Sequence, residues 1–352
     1  MRLQGIDDFA LLELEDSAGG NSRGGMVNGI ACPLGAHYLP LPSDDAPEVQ
    51  NLLEELGLRK RVAGRWEYDE RHLCHSPQER LFFNGEWQDG LLPVQGVGQE
   101  TLAQYAQFAA LVEQTRKAAR WTIPVSNRPL APVQIAQAAI TFIAYLEANG
   151  LTDPHLRWYL DYCCRDDYGA GIATVSAWAG LHYFVSRHGF HAPGLETAER
   201  EGLLTWPESN AWLTLRLAAP LQERLHTGQV VLRIANVKHG VEVDTFNTTT
   251  QTVERWQAWR DEILAELSQA HPDLPLKTTR IDLSRYGHAM AIPVPKNLSE
   301  KGLQPTQNMR KQLSNSEHSA ITHGSLRFAH SDWAGYSVFE EAFTLGHAAG
   351  AG

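Results

Sequence analysis

The chain has 352 residues, 43% hydrophobic and 20% charged, enough for a sizeable core in one large or two ordinary domains. Its 30 Lys and Arg against 41 Asp and Glu leave a net charge of -11, which repels phosphate backbones and anionic lipids and argues against nucleic-acid binding. No apolar run approaches the ~18 residues of a membrane span, and the N-terminus has no signal-peptide core, so the expected compartment is the cytoplasm.

In chain order, Phe9 to Leu14 reads as an apolar strand with an acid, Glu13, at its carboxyl end, followed by a Gly19-Gly20 turn and Arg23. In a dinucleotide-binding fold this is the second strand, and its acid hydrogen-bonds the adenosine ribose. The glycine-rich phosphate turn lies about 20 residues upstream of that acid. With the acid at position 13 there is no room for the turn, so the domain is expected to be incomplete at its front.

The Pro and Gly of Cys32 to Pro40 predict a loop. Pro47 to Leu58 predicts a short amphipathic helix stopped at Gly57, and Leu81 to Trp87 a hairpin turning at Asn84-Gly85. Leu102, Tyr105, Phe108, Ala109 and Val112 form one helical face. Further helices are expected over Val133 to Ala148, over Ile172 to His188, and from Ser209, a plausible N-cap, to His226. Gln229–Ile234, Gly240–Asp244 and Thr252–Trp256 read as a three-strand meander, running with almost no connector into a helix over Trp259–Leu267. Lys296 to Gly324 reads as loop. Leu326 to Gly352 reads as strand, turn and small-residue helix.

Cys32, Cys74, Cys163 and Cys164 form no CxxC pair, and the 15 histidines fall in no HExxH or Cys/His ligand spacing, so no metal is expected. Gly169-Ala170-Gly171 before a helix imitates a phosphate loop. The preceding Arg165 to Tyr168 is no buried strand and carries two acids, so the segment is read as a flexible start to the next helix. No G-x-S-x-G elbow supports a hydrolase.

Three segments carry a family likeness: Leu11-Leu12-Glu13 with Gly19-Gly20, the helix and meander from Trp212 to Thr245, and Leu326 to Tyr336 with the helix that follows. Together the chain resembles FAD-dependent oxidoreductases of the amine-oxidase-like group, the fold of polyamine and monoamine oxidases and carotene desaturases. Tyr159 to Gly169 and Ser176 to Phe184 are similar to a bacterial subgroup of the same family. The resemblance implies FAD as cofactor and hydride transfer from a substrate C–H bond to the flavin. It implies a small-molecule substrate of the amine class, and flavin contacts from Glu13, Gly19, Gly20, Arg23, Val231, Ser331, Asp332, Trp333, Tyr336, Ser337 and Val338. Tyr286 and His288 are the catalytic candidates, placed where the family approaches the flavin from the substrate side.

The expected fold is therefore α/β: an incomplete FAD/NAD(P)-binding Rossmann-type domain with a mostly helical substrate domain, and a second gap near 257–259. Residues 1–70, 206–256 and 296–352 are assigned to the flavin-binding part, and 71–205 with a remnant at 257–295 to the substrate domain. The alternative is a truncated, non-catalytic relative that binds no FAD.

Overall fold

The computed structural model describes residues 9, 11–74, 79–125, 129–193, 202–237, 240–247, 264–265, 267–277, 290–295, 298–299, 302–303, 321–323 and 326–351. Helix α1 (Pro47–Glu55) starts on a proline, whose missing N–H costs nothing at that position, buries Val49, Leu52 and Leu53, and is closed by Gly57 at φ 71°. Helix α2 (Gln99–Ala118) turns Tyr105, Phe108, Ala109 and Val112 inward, as their spacing predicts. The hairpin pairs Arg80–Phe83 with Glu86–Asp89, and Asn84 and Gly85 both take the positive φ that a tight turn needs. Asn28-Gly29 makes a second such turn, between Gly24–Val27 and Ile30–Pro33.

Several expected elements differ. The apolar run from Val133 divides into α3 (Pro132–Ala138) and α4 (Phe142–Ala148), because the Thr141 hydroxyl caps the Ala144 N–H and restarts the helix. The helix expected from Ile172 starts later, as α6 (Ala177–Tyr183), where the Ser176 hydroxyl caps Ala179, and ends in a π turn to His188. Gly169 is not a flexible start to that helix. It is the left-handed C-cap of α5 (Pro154–Tyr168), at φ 64°. The helix after Ser209 is α7 (Ala211–Ala218), continued as a 3-10 turn to Arg224, and Leu225–His226 is strand. Tyr38–Pro40 and Leu203–Thr205 pair as antiparallel strands, so the loop expected around Pro40 ends in sheet. Short strands at Leu298–Ser299, Gly302–Leu303 and Ile321–His323 interrupt the expected loop. The third meander strand at Thr252–Trp256 lies outside the described residues, as does most of the helix expected after it.

Every sheet among the described residues is two-stranded. Leu11–Leu12 pairs in parallel with Leu225–His226, and Gln229–Val237 pairs antiparallel with Gly240–Asn247 through an irregularity between Val231 and Arg233. Two apolar cores result. The larger is helical and runs from Tyr105 on α2 to Ala192, taking in Trp178 and also Ala334 and Tyr336 from the C-terminal segment. The smaller joins Leu39, α1, Leu204, Trp206 and Leu213, with Phe339 and Phe343 of the C-terminal helix (Phe339–Ala351) packed against it.

The C-terminal segment thus belongs to both cores, and it is fastened by buried polar contacts. The Tyr336 hydroxyl donates to Asp167 Oδ2 at 2.8 Å. Arg187 and Glu340 pair at 2.8 Å with side chains 5% and 3% exposed. Glu341, fully buried, accepts the Val125 N–H. His182 contacts the Thr122 carbonyl through Nε2 and meets the Tyr336 ring edge-on.

Gly180 has no room for a side chain: a Cβ there would stand 2.1 Å from Cδ1 of Phe142 on α4. Gly180→Ala should therefore destabilise the fold by about 2 kcal/mol or more, overlap outweighing the ~1 kcal/mol gain in helix propensity. Chemical denaturation tests this, and an unchanged midpoint contradicts the close packing.

Burial pushes the Asp167 carboxyl up to about 7, with Asp166 adding to the rise while Tyr336 and Arg187 oppose it, and burial holds the His182 imidazole down at about 4. Between about pH 4 and 6.5 the folded state keeps a proton on Asp167 that the unfolded chain has lost, and lacks one on His182 that the unfolded chain binds. The two slopes oppose each other there. Above 6.5 the His182 slope is gone, so stability falls as pH rises through about 7 and Asp167 loses its proton. Asp167→Asn should remove the fall through about pH 7, leaving the rise carried by His182 opposed only by the raised Asp166 carboxyl. A variant with the wild-type profile contradicts this assignment.

Candidate functional site

The first two segments singled out in the sequence lie side by side, and the helix after the third packs on the smaller core through Phe339 and Phe343. Leu11 to Glu15 runs beside Leu225 to Gln229: the Glu13 N–H donates to the His226 carbonyl and the Glu13 carbonyl accepts from Gln229, both at 2.8 Å. Oε1 of Glu13 accepts the Glu15 N–H at 2.9 Å, which fixes the carboxylate beside the strand end. Gly19 at φ 133° and Gly20 at φ 52° form the turn, backed by α7: a Cβ on Gly19 would reach Thr214 Oγ1 at 3.2 Å. Gly24 is pressed closer still, its Cβ position 2.6 Å from the Glu208 carbonyl. The Ser209 hydroxyl donates to the Arg23 carbonyl and accepts from Ala211 at the start of α7.

Arg23 projects from this turn. Its Nη1 pairs with Glu15 at 3.2 Å and Asp16 at 3.6 Å, while Nε is buried with no hydrogen-bond partner among the described residues. Val231 lies on the neighbouring hairpin and is 41% exposed.

At the C-terminus, Ser331 to Ala334 form one 3-10 turn that includes Asp332 and Trp333, closed by Gly335 at φ 77°. Ser337 donates to Asp332 Oδ1 at 2.7 Å and accepts the Ala291 N–H at 2.8 Å, tying residues 290–295 to the turn. Tyr336 and Val338 face the helical core. Tyr286 and His288 lie outside the described residues.

Sequence reasoning missed a cavity of about 580 Å³ at the boundary between the two cores. Its aromatic wall comes from Tyr38 beside the smaller core, Tyr159 and Tyr162 on α5, Tyr183 at the end of α6, and Phe190. Glu79, Asp89 and Asp166 supply its carboxylates, His37 and His191 its imidazoles, and no Lys or Arg lines it among the described residues. Burial, with the charges of Asp166 and Glu79, pushes the Tyr162 hydroxyl up to about 12; burial also raises Tyr38, where Asp167, Asp166 and Glu79 add to the rise and Arg187 opposes it. The signal was present on α5. Tyr159, Tyr162 and Asp166, spaced i, i+3, i+7, form one stripe facing the cavity, while Leu156, Leu160, Cys163, Cys164 and Asp167 form the next, facing the core and the C-terminal segment.

Neighbouring residues of the same segment are structural. The Asp161 carboxylate accepts the Ile172 N–H and pairs with Arg165, and a Cβ on Gly171 would strike it. The Tyr168 hydroxyl donates to the Ala179 carbonyl at 2.9 Å. Cys163 and Cys164 are buried free thiols, raised chiefly by burial. No cluster of metal-ligating side chains occurs, and no helix is long and apolar enough to cross a membrane, among the described residues.

A family model for flavin-containing amine oxidoreductases matches residues 3–255, well over half of the chain. A search of curated proteins found no match. Solved structures similar to this chain include a putrescine oxidase bound to putrescine, at 14% identity and TM-score 0.48 over 67% of this chain and 49% of the other. A conjugated-linoleic-acid-producing fatty acid isomerase from P. acnes matches at 18% and 0.43 over 69% and 51%. A cyclohexylamine oxidase from Brevibacterium oxydans IH-35A matches at 17% and 0.41 over 68% and 49%. The chain spans about half the length of these structures. On the extent of the family match, the chain belongs to the flavin-containing amine oxidoreductases.

Proposed function

We propose that this chain is an FAD-dependent amine oxidoreductase. The match to the flavin-containing family over residues 3–255 carries this reading. The chemistry a bound FAD supplies is acceptance of hydride at its N5 from a C–H bond beside the substrate nitrogen, or from a related C–C or C–N unit. Positioning and charge fall to the protein.

Glu13 is assigned to the adenosine ribose, and Gly19, Gly20 and Arg23 to the diphosphate. The buried Arg23 Nε without a partner supports this, since an anion beside it would satisfy a donor that is costly to leave bare. Val231 is assigned to the adenine end, and Ser331 to Val338 to the flavin ring. The cavity between the cores is assigned to the substrate: its rings exclude water from an alkyl chain and Asp166 attracts an ammonium head. Tyr286 and His288 remain proposed as groups that orient the amine or move its proton. Residues 1–70, 206–256 and 296–352 are proposed to serve the flavin, and 71–205 with 257–295 the substrate.

The second reading is an incomplete Rossmann-type domain that holds no FAD by itself. One observation favours it: the strand Leu11–Leu12 pairs on one side only among the described residues, and Leu11 is 45% exposed. An open apolar strand edge is a template for association with other chains.

Flavin titration followed by fluorescence separates the readings. Saturable FAD binding supports the first, and Glu13→Ala should weaken it about ten- to a hundredfold, the worth of one charge-assisted hydrogen bond of about 1.5–3 kcal/mol. An unchanged dissociation constant removes Glu13 from the site, and no binding by the wild type favours the second reading.

A further inference from the structure

We propose that Asp167 is a positioning residue that couples the cavity to the C-terminal segment: a cation seated at Asp166 drives the proton off Asp167 into solvent, and the carboxylate left behind holds Tyr336 more tightly. This rests on the reading above that a cation enters the cavity and that Ser331 to Val338 serve the flavin, and it adds a regulation of that site.

Asp167 stands between the two. On the cavity side it follows Asp166 on α5, and its charge reaches the cavity tyrosines Tyr38 and Tyr183. On the other side the Tyr336 hydroxyl donates to its Oδ2 at 2.8 Å. Arg187, paired with Glu340 at 2.8 Å, bears on it from the π turn. Tyr336 is joined to Ser337, whose hydroxyl donates to Asp332 and accepts from Ala291, so a firmer hold on Tyr336 reaches the turn Ser331–Ala334 and residues 290–295. Tyr168, Cys163 and Cys164 of α5 also feel the Asp167 charge, and burial keeps each of them protonated. His182, edge-on to the Tyr336 ring, is kept neutral by burial.

Burial holds a proton on Asp167 against the pull of Tyr336 and Arg187, and the negative charge of Asp166 adds to that hold. A cation paired with Asp166 cancels the repulsion and brings positive charge close by. The balance then passes to Tyr336 and Arg187, and the proton leaves. A hydrogen bond from a phenol to a carboxylate is about twice as strong as one to a neutral acid, so the ionised form fixes the segment more firmly. By linkage, the same coupling makes the cation bind more tightly as pH rises through about 7.

Calorimetry on the full chain tests this without requiring turnover. Benzyltrimethylammonium, whose charge is fixed, is titrated at one ionic strength at about pH 6 and about pH 8, on either side of the Asp167 titration. Affinity should rise about fivefold or more, the lower end of ordinary coupling between sites, with proton release that makes the heat depend on the buffer. Imidazoles titrate in the same range, and His37 and His191 line the cavity, so Asp167→Asn is the control. It should cut the pH effect at least about threefold. Hydrogen exchange over residues 331–338, followed at one pH, should slow when the cation is added to the wild type and not when it is added to Tyr336→Phe, which keeps the ring. A wild-type pH effect in Asp167→Asn overturns the role of Asp167. Cation binding that leaves exchange over 331–338 unchanged overturns the coupling to the C-terminal segment. Either result leaves the amine reading standing, whereas no binding at either pH overturns both this proposal and the cation site at Asp166.

Discussion

The buried ion pair of Arg187 with Glu340 fastens the C-terminal helix to the helical centre of the chain. A buried pair is weak evidence of net stability, because the cost of desolvating both charges offsets their attraction. Removing one partner, however, costs about 3–5 kcal/mol, because the other charge is left alone in a poor solvent. The pair therefore specifies one docking geometry more than it strengthens the fold. The hydrogen bond from Tyr336 to Asp167 and the Glu341 contact with Val125 reinforce the same seam. Through it the C-terminal helix reaches the smaller core with Phe339 and Phe343, while the residues just before it stay in the larger one.

Helix α5 links this seam to the cavity. Successive residues on a helix point about a third of a turn apart, so adjacent Asp166 and Asp167 serve different environments. Asp166 opens into the cavity with Tyr159 and Tyr162, and Asp167 is held under Tyr336. The two acids are raised for the same first reason, burial, yet Asp167 has a fixed donor and Asp166 has only the charge of His37 to lower it. Charge brought into the cavity would be felt one residue away, at the contact that anchors the C-terminal segment.

Much of the local structure was legible in the sequence because short-range chemistry dictates it. Asn84-Gly85 encodes its turn, Gly57 its helix end, and the α2 stripe its buried face. The helix divisions at Thr141 and Ser176 were less visible. The apolar pattern runs through both positions, and each break depends on one hydroxyl competing for a backbone N–H. The Glu13 turn and the C-terminal segment were identifiable as motifs. That Tyr336 and Val338 pack into the helical core was not, since the contact with Asp167 joins residues 169 positions apart. The cavity was hidden for a similar reason: its walls come from Tyr38, α5, Tyr183 and Phe190, and no sequence window contains them together.

The most direct test of the account is spectroscopic. The flavin-loaded chain is mixed anaerobically with amines, and absorbance near ~450 nm, the oxidised flavin band, is followed. The account predicts bleaching by amines and none by alcohols of equal length, because only the amine offers both a charge for the acidic cavity and a C–H bond weakened by nitrogen. A stably bound flavin whose spectrum no amine alters would contradict it.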